Sequence, residues 1–308
     1  MHTILGASGQ IGQELARALH RNFNVPVRVV SRKPQRVNDS DELLAADLLD
    51  AEQTLHAVAG SDVVYLTVGL PMNTQMWIDQ WPVMMRNVID ACAQHQAKLV
   101  FFDNTYMYPQ TSEVQTEICR FQPHGLKGHV RGEIANWLLQ AMEAGKVNAL
   151  ICRAPEFYGP GLTQSITNST VIEPLKAGKK ARLFLRDDTL RTLIYTPDAS
   201  RAMALLGNTP EAFRQTWHLP CDDNRVTYRE FVQLAAKALG AKPDYVVVKK
   251  WQLVLAGMFN QRICDAVELL PRYAVDNYFN SDKFKAAFPE FKVTPLAQGL
   301  AEIARQAA

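Results

Sequence analysis

Short apolar runs alternate with longer stretches of helical period through the first half of the chain. Thr3-Ile4-Leu5 is the first run, and beyond it Ile11, Leu15, Ala18 and Leu19 recur on one helical face. Val27–Val30, Leu43–Asp47, Val63–Val68, Leu99–Asp103 and Asn148–Cys152 follow. Near-continuous apolar strands imply a sheet buried on both sides, and the helical stretches between them imply βαβ units with parallel strands. Right-handed crossovers then give an α/β fold built on a doubly wound parallel sheet.

After Gly159-Pro160-Gly161 this rhythm breaks. A Ser/Thr-rich stretch, Thr163–Thr170, leads into a helix ending near Ala177-Gly178, followed by a short strand over Ala181–Leu185. Leu190–Thr196, with the Pro197–Leu206 helix behind it, and Thr216–Leu219 are both expected to return to the main sheet. Helices are expected near Tyr228–Leu239, Trp251–Leu270 and Leu296–Gln306. The expected organisation is a nucleotide-binding domain over residues 1–160 with returning segments near 190–220. Residues 161–189 and 221–308 form a smaller, discontinuous C-terminal substrate lobe.

Composition narrows the function classes. Of 308 residues, 47% are hydrophobic and 21% charged, which excludes a disordered chain and a coiled coil. Thirty-three basic and 31 acidic residues leave a formal charge of +2, which advertises neither nucleic acid nor an anionic membrane. The apolar runs fall short of the roughly 18 residues a membrane helix needs. Cys92, Cys119, Cys152, Cys221 and Cys264 are dispersed and odd in number, so reduced thiols in a cytoplasmic protein are expected. Met1 leads directly into the first strand without the basic and apolar regions of a signal peptide.

The chemistry begins at Gly6-Ala7-Ser8-Gly9-Gln10-Ile11-Gly12, between the first strand and the first helix. Gly6 permits the tight turn, Gly9 lets the backbone approach a pyrophosphate, and Gly12 allows close helix–sheet packing. The helix N-terminus offers N–H groups and a partial positive charge to the anion. That pattern in this context predicts a Rossmann dinucleotide site. The second strand ends Ser31-Arg32-Lys33 where an NAD site would place an acid, so Arg32 and its neighbours are expected to meet a 2′-phosphate. NADP is the expected cofactor, ahead of NAD.

With these residues in place, the chain resembles the extended short-chain dehydrogenase/reductase superfamily, in its NAD-dependent epimerase/dehydratase branch. Besides the glycine loop, the resemblance rests on Ala46-Asp47-Leu48, Phe102–Tyr108, Arg153–Gly161, Arg191–Asp198 and Thr294-Pro295-Leu296. It implies that Asp47 and Leu48 contact the adenine, with a helix N-cap as the alternative for Asp47. Thr67, Val68 and Gly69 would pass beneath the central ribose and phosphates, and Glu156 would lie by the nicotinamide. Arg191 matches an arginine that holds a substrate phosphate, and Asp198 matches a structural acid. The substrate implied is small and polar, sugar-like or carbonyl. A homodimer through the helix after the fourth strand and the Lys127–Met142 helix is compatible with the family.

One departure decides the rest. The family's chemistry uses a Tyr-x-x-x-Lys pair and a hydroxyl after the fifth strand. Here the position four before Lys127 is Pro123, and the position four before His129 is Gly125. The hydroxyl position is Asn104, followed by Thr105. Either the acid–base group has moved, with Tyr106, Tyr108 and His124 as candidates and Lys127 still reaching the ribose, or the redox cycle has been lost. The first reading makes Asn104, Thr105, Tyr106 and Lys127 the catalytic set of an oxidoreductase, epimerase or dehydratase. The second makes a non-catalytic NADP-binding redox sensor or regulatory protein. Tyr106 and Tyr108 also have a purely packing role open to them, beside Phe101 and Phe102. His124 and His129 lack the spacing of a helical metal pair, so no metal site is expected.

Overall fold

The computed structural model describes residues 1–161 and 163–307; Leu162 and Ala308, both within the expected lobe, lie outside the described residues. In chain order the first half runs β1 (His2–Leu5), α1 (Gln10–Phe23), β2 (Val27–Ser31), β3 (Glu42–Ala45) and α2 (Ala51–Val58). It continues through β4 (Val63–Leu66), α3 (Thr74–His95), β5 (Lys98–Asp103), α4 (Gly125–Glu143) and β6 (Ala149–Arg153). Among the described residues the main sheet has seven strands. Thr216–His218 forms one edge beside β6, and β5, β4, β1, β2 and β3 follow in that order. Every pairing in it is parallel.

Strand order reverses between β1 and β4, so a crevice opens where the chains leaving those two strands diverge. Both faces of the sheet are covered, which is why every residue of β1 and β4 is buried. One face packs Ile4, Tyr65 and Leu150 against Leu15 and Leu19 of α1 and Met203 of the Thr196–Gly207 helix. The other packs Leu5, Leu66 and Phe101 against Val88 and Ile89 of α3 and Ile134 and Leu138 of α4.

A separate buried cluster gathers Ile172, Leu175, Leu183, Phe231, Val232, Leu300 and Ile303 with Tyr158, Leu193 and Tyr195. The helix Tyr228–Leu239 starts at a capping box between Thr227 and Glu230 and stops at Gly240, whose φ of +63° ends the helix at low steric cost. The final helix, Leu296–Ala307, packs against it.

Two expectations need correction. Leu190–Thr196 does not return to the main sheet. Leu193–Tyr195 pairs instead with Glu156–Tyr158, and Leu190–Arg191 with Val226–Thr227, in separate two-stranded ladders. An apolar run identifies a strand but not its partner, and the Glu156–Tyr158 strand lies closer to hand. The single helix expected over Trp251–Leu270 is broken into Lys250–Gly257, Gln261–Val267 and a 3₁₀ turn at Leu270–Tyr273. Asn260 causes the break, because its side chain accepts from the N–H groups of Arg262 and Ile263 and starts a new helix.

Candidate functional site

The crevice at the switch point is a cleft of about 920 Å³, and the turn after β1 forms its floor. Gly6 has φ of +91°, and a Cβ there would stand 2.7 Å from the Val68 nitrogen. A Cβ on Gly12 would stand 2.8 Å from the Ala7 Cα, so this glycine permits α1 to lie against the loop. Gly9 is the N-cap of α1 and supplies no side-chain acceptor, and no acid occupies the helix's first turn. The first N–H groups of α1 are therefore left for an anion in the cleft.

Gly6, Ser8, Gly9, Gln10 and Ile11 all line the cleft, and Gly12 sits behind them in the packing role. Gln10 also ties the loop to the far wall through bonds from its amide to the Pro160 carbonyl and Thr196 Oγ1. Its Oε1 is buried without a partner, as is Ser31 Oγ at the end of β2. Ser31, Arg32 and Lys33 line the cleft where β2 ends, and both cations are solvent-exposed without a carboxylate partner among the described residues. Orphaned polar atoms, unpaired cations and a side-chain-free helix start are the features a phosphorylated dinucleotide would satisfy.

Asp47, Leu48, Thr67, Val68 and Gly69 complete that half of the cleft. The cap alternative for Asp47 falls to Asp50, whose carboxylate accepts from Gln53 N at 3.0 Å and starts α2. Asp47 instead accepts from Leu49 N at 3.1 Å and keeps an edge toward the cleft.

At the other end, Asn104, Thr105 and Tyr106 line the wall together, where β5 runs out. Asn104 Oδ1 accepts from the Tyr106 N–H at 2.9 Å, which holds the turn. The Tyr106 ring is stacked on Trp77 and has the Arg272 guanidinium 4.9 Å from its centre. Its hydroxyl has no protein partner among the described residues. Burial pushes the Tyr106 phenol up, and the positive charges of Arg272 and Arg131 oppose that rise. The neutral phenol is thus the resting form.

Four other candidates are placed elsewhere. Lys127 is fully buried and turned away from the cleft. Its Nζ donates to Thr74 Oγ1, to the Asp265 carbonyl at 2.6 Å and to Glu268 Oε1 at 2.5 Å, so every ammonium proton is used in joining α3 and α4 to the lobe. Arg191 does not face the cleft either. It donates to Glu156 Oε2 at 3.2 Å and to the Arg272 and Val275 carbonyls, between the Tyr228 and Tyr273 rings. Tyr108 is buried in a chain in which Arg153 donates to its oxygen and its hydroxyl meets His218 Nε2, both at 2.8 Å. His124 is exposed at the start of α4 and is not part of the cleft wall.

Glu156 does reach the cleft, but its carboxylate is occupied. Tyr228, Thr167 and Tyr273 donate to Oε1, and Arg191 donates to Oε2. Burial alone would raise this carboxyl. The charges of Arg191 and Arg272 and the hydrogen bonds from Tyr228 and Thr167 outweigh burial and hold it below the usual range. Asp198 has the structural role expected of it, accepting from Thr294 N and Oγ1 and pairing with Arg201.

Two cleft cations escape the reading of the sequence. Arg131 stands one helical turn after Lys127, lines the cleft, and is paired with Asp103 beneath it. The i,i+4 spacing of Lys127 and Arg131 on an otherwise apolar helix face is the signal available for it. Arg272 comes from the 3₁₀ turn in the lobe, and nothing in its local sequence marks it.

Residues 2–219 match the family model described as NAD dependent epimerase/dehydratase family. No curated protein is significantly similar in sequence. Among solved structures, a Thermus thermophilus UDP-glucose 4-epimerase in complex with NAD superposes with a TM-score of 0.80 at 16% identity, covering 100% of this chain and 99% of that one. A Bacillus cereus UDP-glucuronic acid 4-epimerase in complex with UDP-glucuronic acid and NAD gives 0.81 at 15% identity, covering 99% and 98%. A Streptomyces venezuelae dTDP-glucose 4,6-dehydratase double mutant with NAD bound gives 0.78 at 16%, covering 99% and 96%. At such identities these likenesses establish the fold.

Proposed function

The chain belongs to the NAD dependent epimerase/dehydratase family, and from that premise we propose that it is an NADP(H)-binding oxidoreductase in which Tyr106 takes the place of the missing acid–base tyrosine. Its substrate on this reading is a small carbonyl or hydroxyl compound bound between Tyr106 and the lobe. The observation that carries the reading is the Tyr106 hydroxyl, unpartnered at one end of a cleft whose other end holds the glycine loop and the exposed cations Arg32 and Lys33.

The cofactor residues would be Gly6, Ser8, Gly9, Gln10 and Ile11 at the pyrophosphate, and Ser31, Arg32 and Lys33 at the 2′-phosphate. Asp47 and Leu48 would meet the adenine, and Thr67–Gly69 the central riboses. The similar solved structures contain NAD. The preference for NADP here rests on the chain's own residues, since the end of β2 carries two cations and no acid.

Bound there, the dinucleotide would supply or accept a hydride. Tyr106 would give the accompanying proton to the substrate oxygen, so that a carbonyl gains two electrons and two hydrogens and becomes an alcohol; the reverse direction returns both. Arg272 and Arg131 would stabilise the phenolate left behind, the task the family gives to a lysine. The Asn104 amide nitrogen, unused in holding the turn, would orient the substrate oxygen.

The loss of Lys127 from the cleft favours a second reading, a sensor that binds cofactor without turnover. Calorimetric titration with NADPH and NADH, on the wild type and Arg32→Ala, tests the cofactor assignment. Tighter NADPH binding that weakens about 10- to 100-fold in the variant is expected, the worth of one charge-assisted contact. NADH binding tighter than NADPH, and indifferent to Arg32→Ala, would overturn the assignment.

A further inference from the structure

Resting on the oxidoreductase reading above, we propose that the substrate is a monoanionic carbonyl compound with an aromatic or otherwise apolar body and one carboxylate, rather than a nucleotide-linked sugar.

The part of the cleft beyond the dinucleotide residues is walled by Met72, Met76, Trp77, Phe157, Ile166 and Tyr273, and the polar residues among them include Thr163, Gln164 and Ser165, whose side chains already hydrogen-bond locally. Thioethers and aromatic rings attract flat apolar groups by dispersion and burial, and they offer little to a ring of hydroxyls. A sugar against the thioether and aromatic side of this wall would find few partners for its hydroxyls, at a cost for each one desolvated. A diphosphate would need several cations. The arginine that resembles a phosphate-holding residue, Arg191, is sequestered under Glu156 and two carbonyls. Arg131 is already ion-paired with Asp103 beneath it.

That leaves Arg272 as the cation at this end without a carboxylate partner among the described residues. Its Nη2 donates to Thr105 Oγ1 at 3.2 Å, and its Nε is buried without any acceptor. Glu156 feels the Arg272 charge without bonding to it, so a half-buried guanidinium with a free Nε still gains a direct charge-assisted pair when an anion joins it. One planar carboxylate matches it in charge and in fork geometry. Arg272 also packs over the Tyr106 ring, 4.9 Å from its centre, so a carboxylate held there would lie beside Tyr106. A 2-oxo acid carries its carbonyl directly next to such a carboxylate. Its reduction takes one hydride from the nicotinamide at the carbonyl carbon and one proton from Tyr106 at the oxygen, and yields a 2-hydroxy acid.

Trp77 and Trp81 line the cleft and report occupancy by fluorescence. Phenylpyruvate, pyruvate, phenyl phosphate, acetophenone and UDP-glucose are titrated into the wild type, Arg272→Gln and Arg272→Lys, with and without NADP⁺. Phenylpyruvate is expected to bind at least about tenfold tighter than pyruvate, from burial of the ring. It should also bind tighter than UDP-glucose and phenyl phosphate. Arg272→Gln should weaken phenylpyruvate about tenfold or more while leaving acetophenone unchanged, and Arg272→Lys should restore part of the loss. Tighter binding of UDP-glucose or phenyl phosphate, or indifference of phenylpyruvate to Arg272→Gln, would overturn the proposal. Thermal melting of each variant identifies a folding defect, and in that case the ranking of ligands on the wild type decides alone. The cofactor-free titrations read substrate class even if NADPH does not bind, so failure of the oxidoreductase reading remains distinguishable.

Discussion

The ring of Tyr106 lies parallel to that of Trp77, their centroids 5.9 Å apart and their planes 15° from coplanar. The stack fixes the phenol at the end of β5, in the wall of the cleft. Replacing Tyr106 with Phe keeps the stack and removes only the proton. Turnover of an accepted carbonyl substrate should fall about 10²- to 10⁴-fold, with the NADPH dissociation constant and the melting temperature unchanged. Undiminished turnover, measured by NADPH absorbance, would remove Tyr106 from the chemistry.

Lys127 is expected to matter for stability and not for cofactor. Lys127→Met leaves Glu268 without its cation and should cost about 2–4 kcal/mol, at the lower side of the range for buried pairs because Glu268 is 17% exposed. Adding Glu268→Gln should recover part of that loss. Urea midpoints measure the cost, and NADPH titration provides the contrast. A variant that melts normally but no longer binds NADPH would return Lys127 to the ribose.

The two glycines at the head of the phosphate loop should separate folding from binding. Gly9→Ala adds a methyl group whose nearest contact is the Gly6 carbonyl at 3.5 Å, so stability should be nearly unchanged while NADPH affinity drops about tenfold or more from intrusion on the pyrophosphate. Gly6→Ala should lose both, because its positive φ and the approach of Val68 strain the turn itself. Equal melting temperatures for the two variants would contradict this division.

A pH dependence follows from His218. Burial lowers its pKa to about 3, and the ring is neutral between the Tyr108 hydroxyl and the Asn280 carbonyl, Nδ1–H donating to the latter. The unfolded chain takes up a proton near the ordinary pKa of 6.5 that the folded chain refuses. Stability is therefore full above pH 6.5 and falls by up to about 1.4 kcal/mol per unit as the pH drops from there toward 3. His2, lowered to about 4, adds to the same trend. His218→Gln should flatten the slope of melting temperature between about pH 6.5 and 4, at the cost of a lower melting temperature near pH 7.

Legibility from the sequence differs by residue. The glycine loop, β1 to β6 and the Tyr228–Leu239 helix are legible because each is specified by local pattern: periodicity, caps and turn glycines. The break at Asn260 is also written locally, as a capping residue just after Gly257, and the apolar run across it masks the signal. Lys127 defeats a local reading because its partners, Asp265 and Glu268, lie some 140 positions further on. Arg191 does so for a related reason: it matches a motif, yet its fate is set by Glu156 and by carbonyls from the 270s. Long-range pairing of buried charge leaves no local periodicity, so the end of the cleft around Tyr106 is the least readable part of the chain.

The edge strand Thr216–His218 has a bearing on how the protein is made. It completes the sheet beside β6, and Phe279 and Phe284 belong to the same core as its Trp217, with Phe288 and Phe291 packed against that core. A ribosome emitting this chain from its N-terminus therefore presents β6 with a bare flank until residue 218 emerges. The aromatic seal over that flank arrives only some sixty residues later. Throughout that interval the nascent chain exposes strand edge and apolar surface together, the combination that recruits chaperones and invites aggregation. The last quarter of the polypeptide is in this sense the closing seam of a sheet begun at residue 2.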